Sequence, residues 1–344
     1  MTLLSPTQPA INLADIALPA SDQLTETAAL QLYEALRPVM PHAERRQPSD
    51  IRPSDIRPSN IRRLDALIEM LDEVDGLVLD GFGVINTGAE MIPAIAPFLE
   101  AAERRHLPIL VLTNGASVPS SRRLGKFQSW GLPIEEKQIL SSRDALIHHL
   151  SQISVSGLTV TLDMEVEKLG LAGEEKPRNP ADIREMVAEA SQILICGTIG
   201  WTEETQDAFE KGLLAAKSKG GLPQLYVANP DVISPQPAGS KPEPGYWVAR
   251  AMKQTGIQPG WFGKPHQTSY HLALDRMAEL AGTPIPADRL LMVGDTPHTD
   301  ILGGQAAGMK TALLTGYGLM RALDVDYWLS KTDIYPDYLA KKLV

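Results

Sequence analysis

Three aspartates stand where a hydrophobic run gives way to polar chain, which is where chemistry is expected. Asp80 follows Gly76-Leu-Val-Leu79, Asp295 follows Leu290-Leu-Met-Val-Gly294, and Asp300 closes the loop Asp295-Thr-Pro-His-Thr-Asp300. Thr113-Asn114 ends Pro108-Ile-Leu-Val-Leu112 in the same way, and Lys264 lies in Gly263-Lys-Pro265. One aspartate after a strand is commonly a turn or helix-cap residue. Several together point to a site, because ligands of open parallel sheets bind beyond the carboxyl ends of the strands. If Asp80, Asp295 and Asp300 converge, they repel. Two carboxylates ~5 Å apart at an effective dielectric of ~20 cost roughly 3 kcal/mol, or about two pKa units. A divalent cation removes that repulsion, and hard oxygen ligands with phosphate chemistry favour Mg²⁺.

The elements that must position these residues follow from the hydrophobic pattern. Short apolar runs at 76–79, 108–112 and 289–293 alternate with helical stretches at 92–105, 120–130, 266–280 and 299–307, and 310–314 reads as a further strand. Such alternation predicts an α/β fold, a parallel sheet covered on both faces. The middle of the chain, 150–258, carries its own strand-like runs at 158–162, 192–196 and 224–227, and reads as an inserted second domain. The expected division is therefore an N-terminal extension over 1–73, a core from 74–149 plus 259–344, and the insertion. Within the extension, a helix is expected from Ser21 to Leu36 with Ser21 or Asp22 as its cap, and another over Leu64 to Leu71. Between them runs a tandem repeat, Pro48-Ser-Asp-Ile-Arg52, Pro53-Ser-Asp-Ile-Arg57 and Pro58-Ser-Asn-Ile-Arg62, whose prolines block a continuous helix. It reads as a linker.

Composition narrows the partners. The 344 residues are 43% hydrophobic, enough for buried cores, and the formal net charge of -10 argues against nucleic acid and anionic membranes. No segment approaches the length of a membrane span, and Met1 to Leu18 lacks the pattern of a signal peptide. A single cysteine, Cys196, excludes an internal disulfide and suits a reducing compartment, so a cytoplasmic location is expected. The seven histidines form no zinc-like cluster.

Asp80-Gly-Phe-Gly83, Thr113-Asn114, Gly263-Lys264-Pro265 and Gly294-Asp295-x-x-x-x-Asp300, in that order, resemble the four motifs of the haloacid dehalogenase (HAD) superfamily. Thr113-Asn-Gly-Ala-Ser117, Asn229-Pro-Asp231 and Gly263-Lys-Pro-His266 resemble its class IIA branch, which includes NagD-like and p-nitrophenyl-phosphatase-like sugar or nucleotide phosphatases. The similarity spans about residues 74–320. It implies a Rossmann-like core with an α/β cap inserted between the second and third motifs, and a small phosphorylated substrate. It also implies roles. Asp80 is the expected nucleophile, forming an aspartyl-phosphate. Thr113, Asn114 and Gly115 would hold the phosphoryl group, and Lys264 would neutralise charge. Asp80, the Phe82 carbonyl, Asp295 and Asp300 would bind Mg²⁺. Asn229 and Asp231 would belong to the cap's substrate loop, and a cap-mediated homodimer is left open.

One position departs from the pattern. Phosphatases of this superfamily usually carry a second aspartate two residues after the nucleophile, as acid and then base; here that residue is Phe82. Acid–base help of this kind is worth ~10²–10⁴-fold. Four readings stay open: a phosphatase restricted to good leaving groups, a different reaction at Asp80, a proton supplied by His298, His266 or Asp231, and a non-catalytic phosphate-ligand binder. A receiver-like signalling domain also uses Asp, Thr and Lys around Mg²⁺, but the long insertion between Asn114 and Lys264 argues against it.

Overall fold

The structure is a computed structural model that describes residues 13, 18–40, 61–154, 156–162, 169–171, 173–237 and 239–344. The proline repeat lies outside the described residues except for Ile61 and Arg62. Among the described residues, helix α1 (Glu26–Leu36) is followed by strands β1 (Arg62–Leu64) and β2 (Gly76–Leu79) and a small ribbon of β3 (Asn86–Thr87) and β4 (Glu90–Met91). There follow α2 (Ile95–Glu103), β5 (Ile109–Thr113), α3 (Ser120–Ser129), β6 (Ile139–Ser141) and α4 (Ser142–Ser151). The middle comprises β7 (Thr159–Thr161), β8 (Glu174–Glu175), α5 (Pro180–Glu189), β9 (Gln192–Ile195), α6 (Glu203–Ser218) and β10 (Gln224–Val227). A ribbon of β11 (Ile233–Pro235) and β12 (Ser240–Pro242), α7 (Pro244–Thr255) and β13 (Pro259–Trp261) complete it. The last part holds α8 (Gln267–Ala281), β14 (Leu290–Gly294), α9 (Leu302–Ala306), β15 (Lys310–Leu314), α10 (Val325–Thr332) and β16 (Tyr338–Ala340).

Two parallel sheets organise these elements. The larger has the order β1-β16-β15-β14-β2-β5-β6, and the second β13-β10-β9-β7-β8. Strands β2, β5 and β14 are buried along their whole length. Helices cover both faces of such strands, so unbroken apolar runs rather than alternating ones are required. The strand order of the sheet places β5 on one side of β2 and β14 on the other, so the polar residues that end these three strands emerge side by side.

Two expected boundaries move. Arg62–Leu64, placed by the sequence within the N-terminal extension, is an edge strand of the large sheet, in register with Tyr338–Ala340. Pro259–Trp261 pairs with Leu225–Val227 and is the edge of the second sheet, which therefore reaches past residue 258. An edge position tolerates the proline, which has no N–H to give. Leu67–Met70 forms only a short 3₁₀ turn where a longer helix is expected, since the preceding residues are drawn into β1.

Helix α1 starts later than its expected cap. Ser21–Gln23 forms a 3₁₀ turn, and the helix begins after Thr25, whose hydroxyl accepts the Ala28 N–H at 3.2 Å. Its buried side chains are Ala29, Leu30, Leu32, Tyr33 and Leu36, one stripe at helical spacing. That stripe shares an apolar cluster with Trp247 and Val248 of α7 and with Leu319, Met320 and Trp328 from the C-terminal part. Polar bonds flank it: Ser240 Oγ to Glu26 at 2.9 Å, Ser21 Oγ to Glu203 at 2.6 Å, and Arg37 to the Thr332 carbonyl at 3.3 Å. The helix thus bridges the second-sheet unit and the large-sheet unit. Leu30 is fully buried. Leu30→Ala is expected to destabilise the folded protein by about 2–5 kcal/mol, read as a lowered urea midpoint. An unmoved midpoint would mean that α1 is not part of the core.

Candidate active site

Asp80 leaves the end of β2 with its N–H donated to the Val293 carbonyl of β14, 2.9 Å away. This ties the residue to the neighbouring strand before its side chain turns into the cleft. Lys264 arrives from the other unit, three residues after β13. Asn114, at the end of β5, holds that approach: its Oδ1 accepts the Lys264 N–H at 2.7 Å, and its Nδ2 donates to the Lys264 carbonyl at 3.0 Å. The Ser142 hydroxyl fixes Asn114 in turn through its carbonyl, at 2.6 Å. The Lys264 ammonium ends 2.5 Å from Asp80 Oδ1 and 2.6 Å from Asp300 Oδ1. Its side chain is 2% exposed, against 11% for Asp80 and 0% for Asp300.

Asp295 and Asp300 are seated by backbone donors. Asp295 Oδ2 accepts the Leu319 N–H at 2.6 Å and its Oδ1 accepts the Thr296 hydroxyl at 2.9 Å, while Asp300 Oδ2 accepts the Thr296 N–H at 3.1 Å. A π-helical turn over Pro297–Ile301 brings Asp300 back under Gly294, where a side chain would overlap the carboxylate. Wide turns of this type recur at functional sites. Gly83, at φ +81°, makes the same close approach to Asp295, so the Phe82–Gly83 backbone runs along that carboxylate. A substituted residue would be strained there by its backbone as well as its bulk.

The cluster holds one ammonium among three buried carboxylates. Oxygens of Asp80, Asp295 and Asp300 lie within 4.8 Å of one another. Burial raises the Asp80 carboxyl above its ordinary range; the Lys264 ammonium opposes this, and Asp300 and Asp295 add to it. Burial and Asp300 raise Asp295 likewise. Burial disfavours the charged Lys264 ammonium, but Asp300 and Asp80 outweigh it and hold the lysine above its ordinary range. The excess negative charge, all on hard oxygen donors, fits a divalent cation of the Mg²⁺ type.

Thr113 is buried beside Gly81, and its hydroxyl accepts the Gly115 N–H at 3.2 Å. Asn229 shapes the loop after β10: its Oδ1 accepts the Asp231 N–H at 2.9 Å and its Nδ2 donates to Glu243 at 3.1 Å. Asp231 Oδ1 receives the Asn114 amide at 2.8 Å. A narrow cleft lined by Asp80, Lys264 and Asp295 opens into a cavity of about 560 Å³ bounded by Arg123, Lys126, Trp201 and Trp247. Phe82 lines both, with the Lys126 ammonium 5.8 Å from its ring centre.

The two histidines weighed as proton donors lie elsewhere. His298 is fully buried, its Nε2 2.5 Å from Glu34 of α1 and its ring stacked 5.2 Å from Tyr33. His266 precedes α8, and burial pushes it down to about 4. Neither lines the cleft or the cavity. Residues that the sequence did not single out complete the surroundings: Tyr33, Glu34, Ser142, Arg123 and Lys126. The first two lie about 50 residues before the first motif and carried no local signal. Arg123 and Lys126 share one face of α3, a helix that was expected but not assigned to the site.

Carboxylates and a lysine gathered at the carboxyl edge of a parallel sheet, beneath an inserted second sheet, define a hydrolase fold of the haloacid dehalogenase type. Comparisons with known proteins agree. Residues 77–172 match the family described as haloacid dehalogenase-like hydrolase, and 261–343 match its companion, described as HAD-hydrolase-like. This chain belongs to the haloacid dehalogenase-like hydrolases. It is 25% identical over 241 residues to the 5'-nucleotidase YutF of Bacillus subtilis, covering 70% of this chain and 86% of that protein. It is 26% identical over 241 residues to the dihydroxyacetone phosphatase of Corynebacterium glutamicum, covering 67% and 78%. Its fold is similar to a possible sugar phosphatase from Cytophaga hutchinsonii, with a TM-score of 0.69, 21% identity and coverage of 82% and 99%.

Proposed function

We propose that this chain hydrolyses a small phosphate monoester by way of a covalent phosphoryl group on Asp80. The observation that carries the reading is the buried Asp80–Lys264–Asp300 ion-pair cluster at the floor of a cleft that opens into a larger cavity. An Asp80 oxygen forms a bond to phosphorus while the ester oxygen leaves. Water then attacks phosphorus, releases inorganic phosphate and frees Asp80. Lys264 holds Asp80 in its attacking direction and offsets charge on the transferring group. Thr113, Asn114 and Gly115, on the turn beside Gly81, would hold the phosphoryl oxygens; of the three, Gly115 lines the larger cavity. Asp80, Asp295, Asp300 and the Phe82 carbonyl would hold Mg²⁺. Bound there, the ion would place positive charge against the phosphoryl oxygens and relieve the repulsion among the carboxylates.

The second-sheet unit, β7 through β13, serves as the cap over this cleft, and the roughly core-sized remainder carries the chemistry. The names of the two sequence relatives, a 5'-nucleotidase and a dihydroxyacetone phosphatase, support a small phosphorylated metabolite as substrate. The test is phosphate release from p-nitrophenyl phosphate and a panel of sugar phosphates and nucleotides. Release that requires Mg²⁺ and stops on chelation is expected. If Mg²⁺ and inorganic phosphate bind but no ester is cleaved, the protein is a phosphate-ligand binder, the reading that Phe82 favours.

A further inference from the structure

The ester bond that breaks must sit where the phosphoryl cleft meets the larger cavity, because the two halves of the substrate occupy the two spaces. Phe82, Asp231 and Ser234 line both. A phenyl ring has no proton to give, and the Ser234 hydroxyl is committed to Glu243 at 2.7 Å. Among the described residues, Asp231 is the one carboxyl that lines both spaces, and it does so together with Phe82, which stands where a second aspartate is usual.

We propose that Asp231, reaching across from the cap, supplies the proton to the leaving oxygen, and that Tyr33 of helix α1 positions it. The inference rests on Asp80 as the nucleophile. As the Asp80–phosphorus bond forms and the phosphorus–ester oxygen bond breaks, the electron pair stays on the ester oxygen, which takes the Asp231 proton and leaves as the alcohol. In the second half, the Asp231 carboxylate takes a proton from the attacking water, the Asp80–phosphorus bond breaks, and Asp231 is again the acid.

The surroundings suit the task. The described hydrogen bonds to the side chain both fall on Oδ1, from the Asn114 amide at 2.8 Å and from the Tyr33 hydroxyl, long at 3.5 Å. That leaves Oδ2 outside the described hydrogen bonds, as the oxygen to carry the proton. Tyr33 also accepts the Val232 N–H at 3.0 Å, so the next residue of the loop is pinned by the same hydroxyl. Asn229 fixes the loop from the other side through the Asp231 N–H at 2.9 Å. Burial pushes the Asp231 carboxyl up to about 8, against the pull of Lys264 and Asn114. The acid form is therefore the one at hand near neutral pH. His298, stacked on Tyr33 and bonded to Glu34, backs the tyrosine within the apolar seam.

The experiment compares kcat/KM for p-nitrophenyl phosphate, whose leaving oxygen needs little protonation, with an alkyl phosphate, whose leaving oxygen needs a full proton. Asp231→Asn, an isosteric change, is expected to lose ~10²–10⁴-fold on the alkyl ester and roughly tenfold or less on the aryl ester. Tyr33→Phe, which removes one oxygen, is expected to show the same selective loss at smaller size. A merely structural role for Tyr33 would reduce both esters alike. Equal losses on the two esters in both variants, or an unchanged alkyl rate, overturn the proposal. If Asp231→Asn does not yield folded protein, the Tyr33→Phe ratio decides alone. Asp80→Asn separates the two readings. If it is inactive while the Asp231→Asn losses are flat, only the acid assignment falls. If it is fully active, or wild type cleaves neither ester, the nucleophile assignment falls and takes this one with it.

Discussion

Replacing Asp80 by Asn is expected to reduce phosphate release by roughly 10⁴–10⁶-fold, the scale at which removing a nucleophile acts. The amide has nearly the shape of the carboxylate, so the fold should survive. The hydrogen bond from Lys264 can persist through the amide oxygen, because a lysine ammonium only donates. What disappears is the attacking charge. Brief mixing of wild type with substrate, followed by acid quench, should trap phosphate on the protein, and the Asp80→Asn variant should trap none. Comparable turnover in the variant would move the reaction away from Asp80 altogether.

Lys264→Met is expected to abolish activity and also to weaken the fold. Its ammonium is 2.5 Å from Asp80 and 2.6 Å from Asp300, with almost no solvent access. Removing one partner of such a buried pair typically costs about 3–5 kcal/mol, because the charge left behind has neither water nor counter-ion. Here two carboxylates are left behind. The unfolding free energy from denaturant titration should fall by that amount in the absence of divalent cations, and added Mg²⁺ should recover part of it by replacing the missing positive charge. A variant as stable as wild type would mean that the cluster is already neutralised by protons on the aspartates.

Much of this arrangement was legible because it depends on local patterns. The apolar runs ending in Asp80, Thr113 and Asp295 are buried on both faces, so they show as unbroken hydrophobic strings, and their polar ends stand out. Lys264 could be listed with them by its motif, but its route could not. It reaches Asp80 from the edge of the other sheet, held by the Asn114 side chain. That contact joins residues 150 apart, and nothing in the spacing records it. β13 was hidden for a different reason: three residues of Pro-Gly-Trp carry the marks of a turn, and only the free edge of a neighbouring sheet makes them a strand. β1 was hidden by its length and its two arginines, which an exposed edge accommodates.

The part least visible was the role of α1. Its amphipathic stripe is plain in the sequence, but an apolar stripe says only that something is covered, not what. The covering surface is assembled from α7 and from the segment around Leu319 and Trp328. Tyr33 therefore enters the neighbourhood of Asp231 through tertiary packing alone. His298, by contrast, was weighed as a proton donor because of its place in a motif, and it is the same helix that removes it from the cleft by engaging it with Glu34.

Helix α1 also sets a clock. It is the first described helix to be synthesised, yet its partners lie 198, 264 and 295 residues later, at Asp231, His298 and Thr332. At about 5–20 residues per second of synthesis, the helix waits roughly 15–60 s with its apolar stripe unmatched before the last of these contacts can exist. The loop bearing Asp231 meets Tyr33 sooner, after 198 residues. Until Asp295 and Asp300 have been made, the nascent chain lacks two of the three carboxylates of the site, and over the same interval the apolar stripe of α1 has only part of its partner surface.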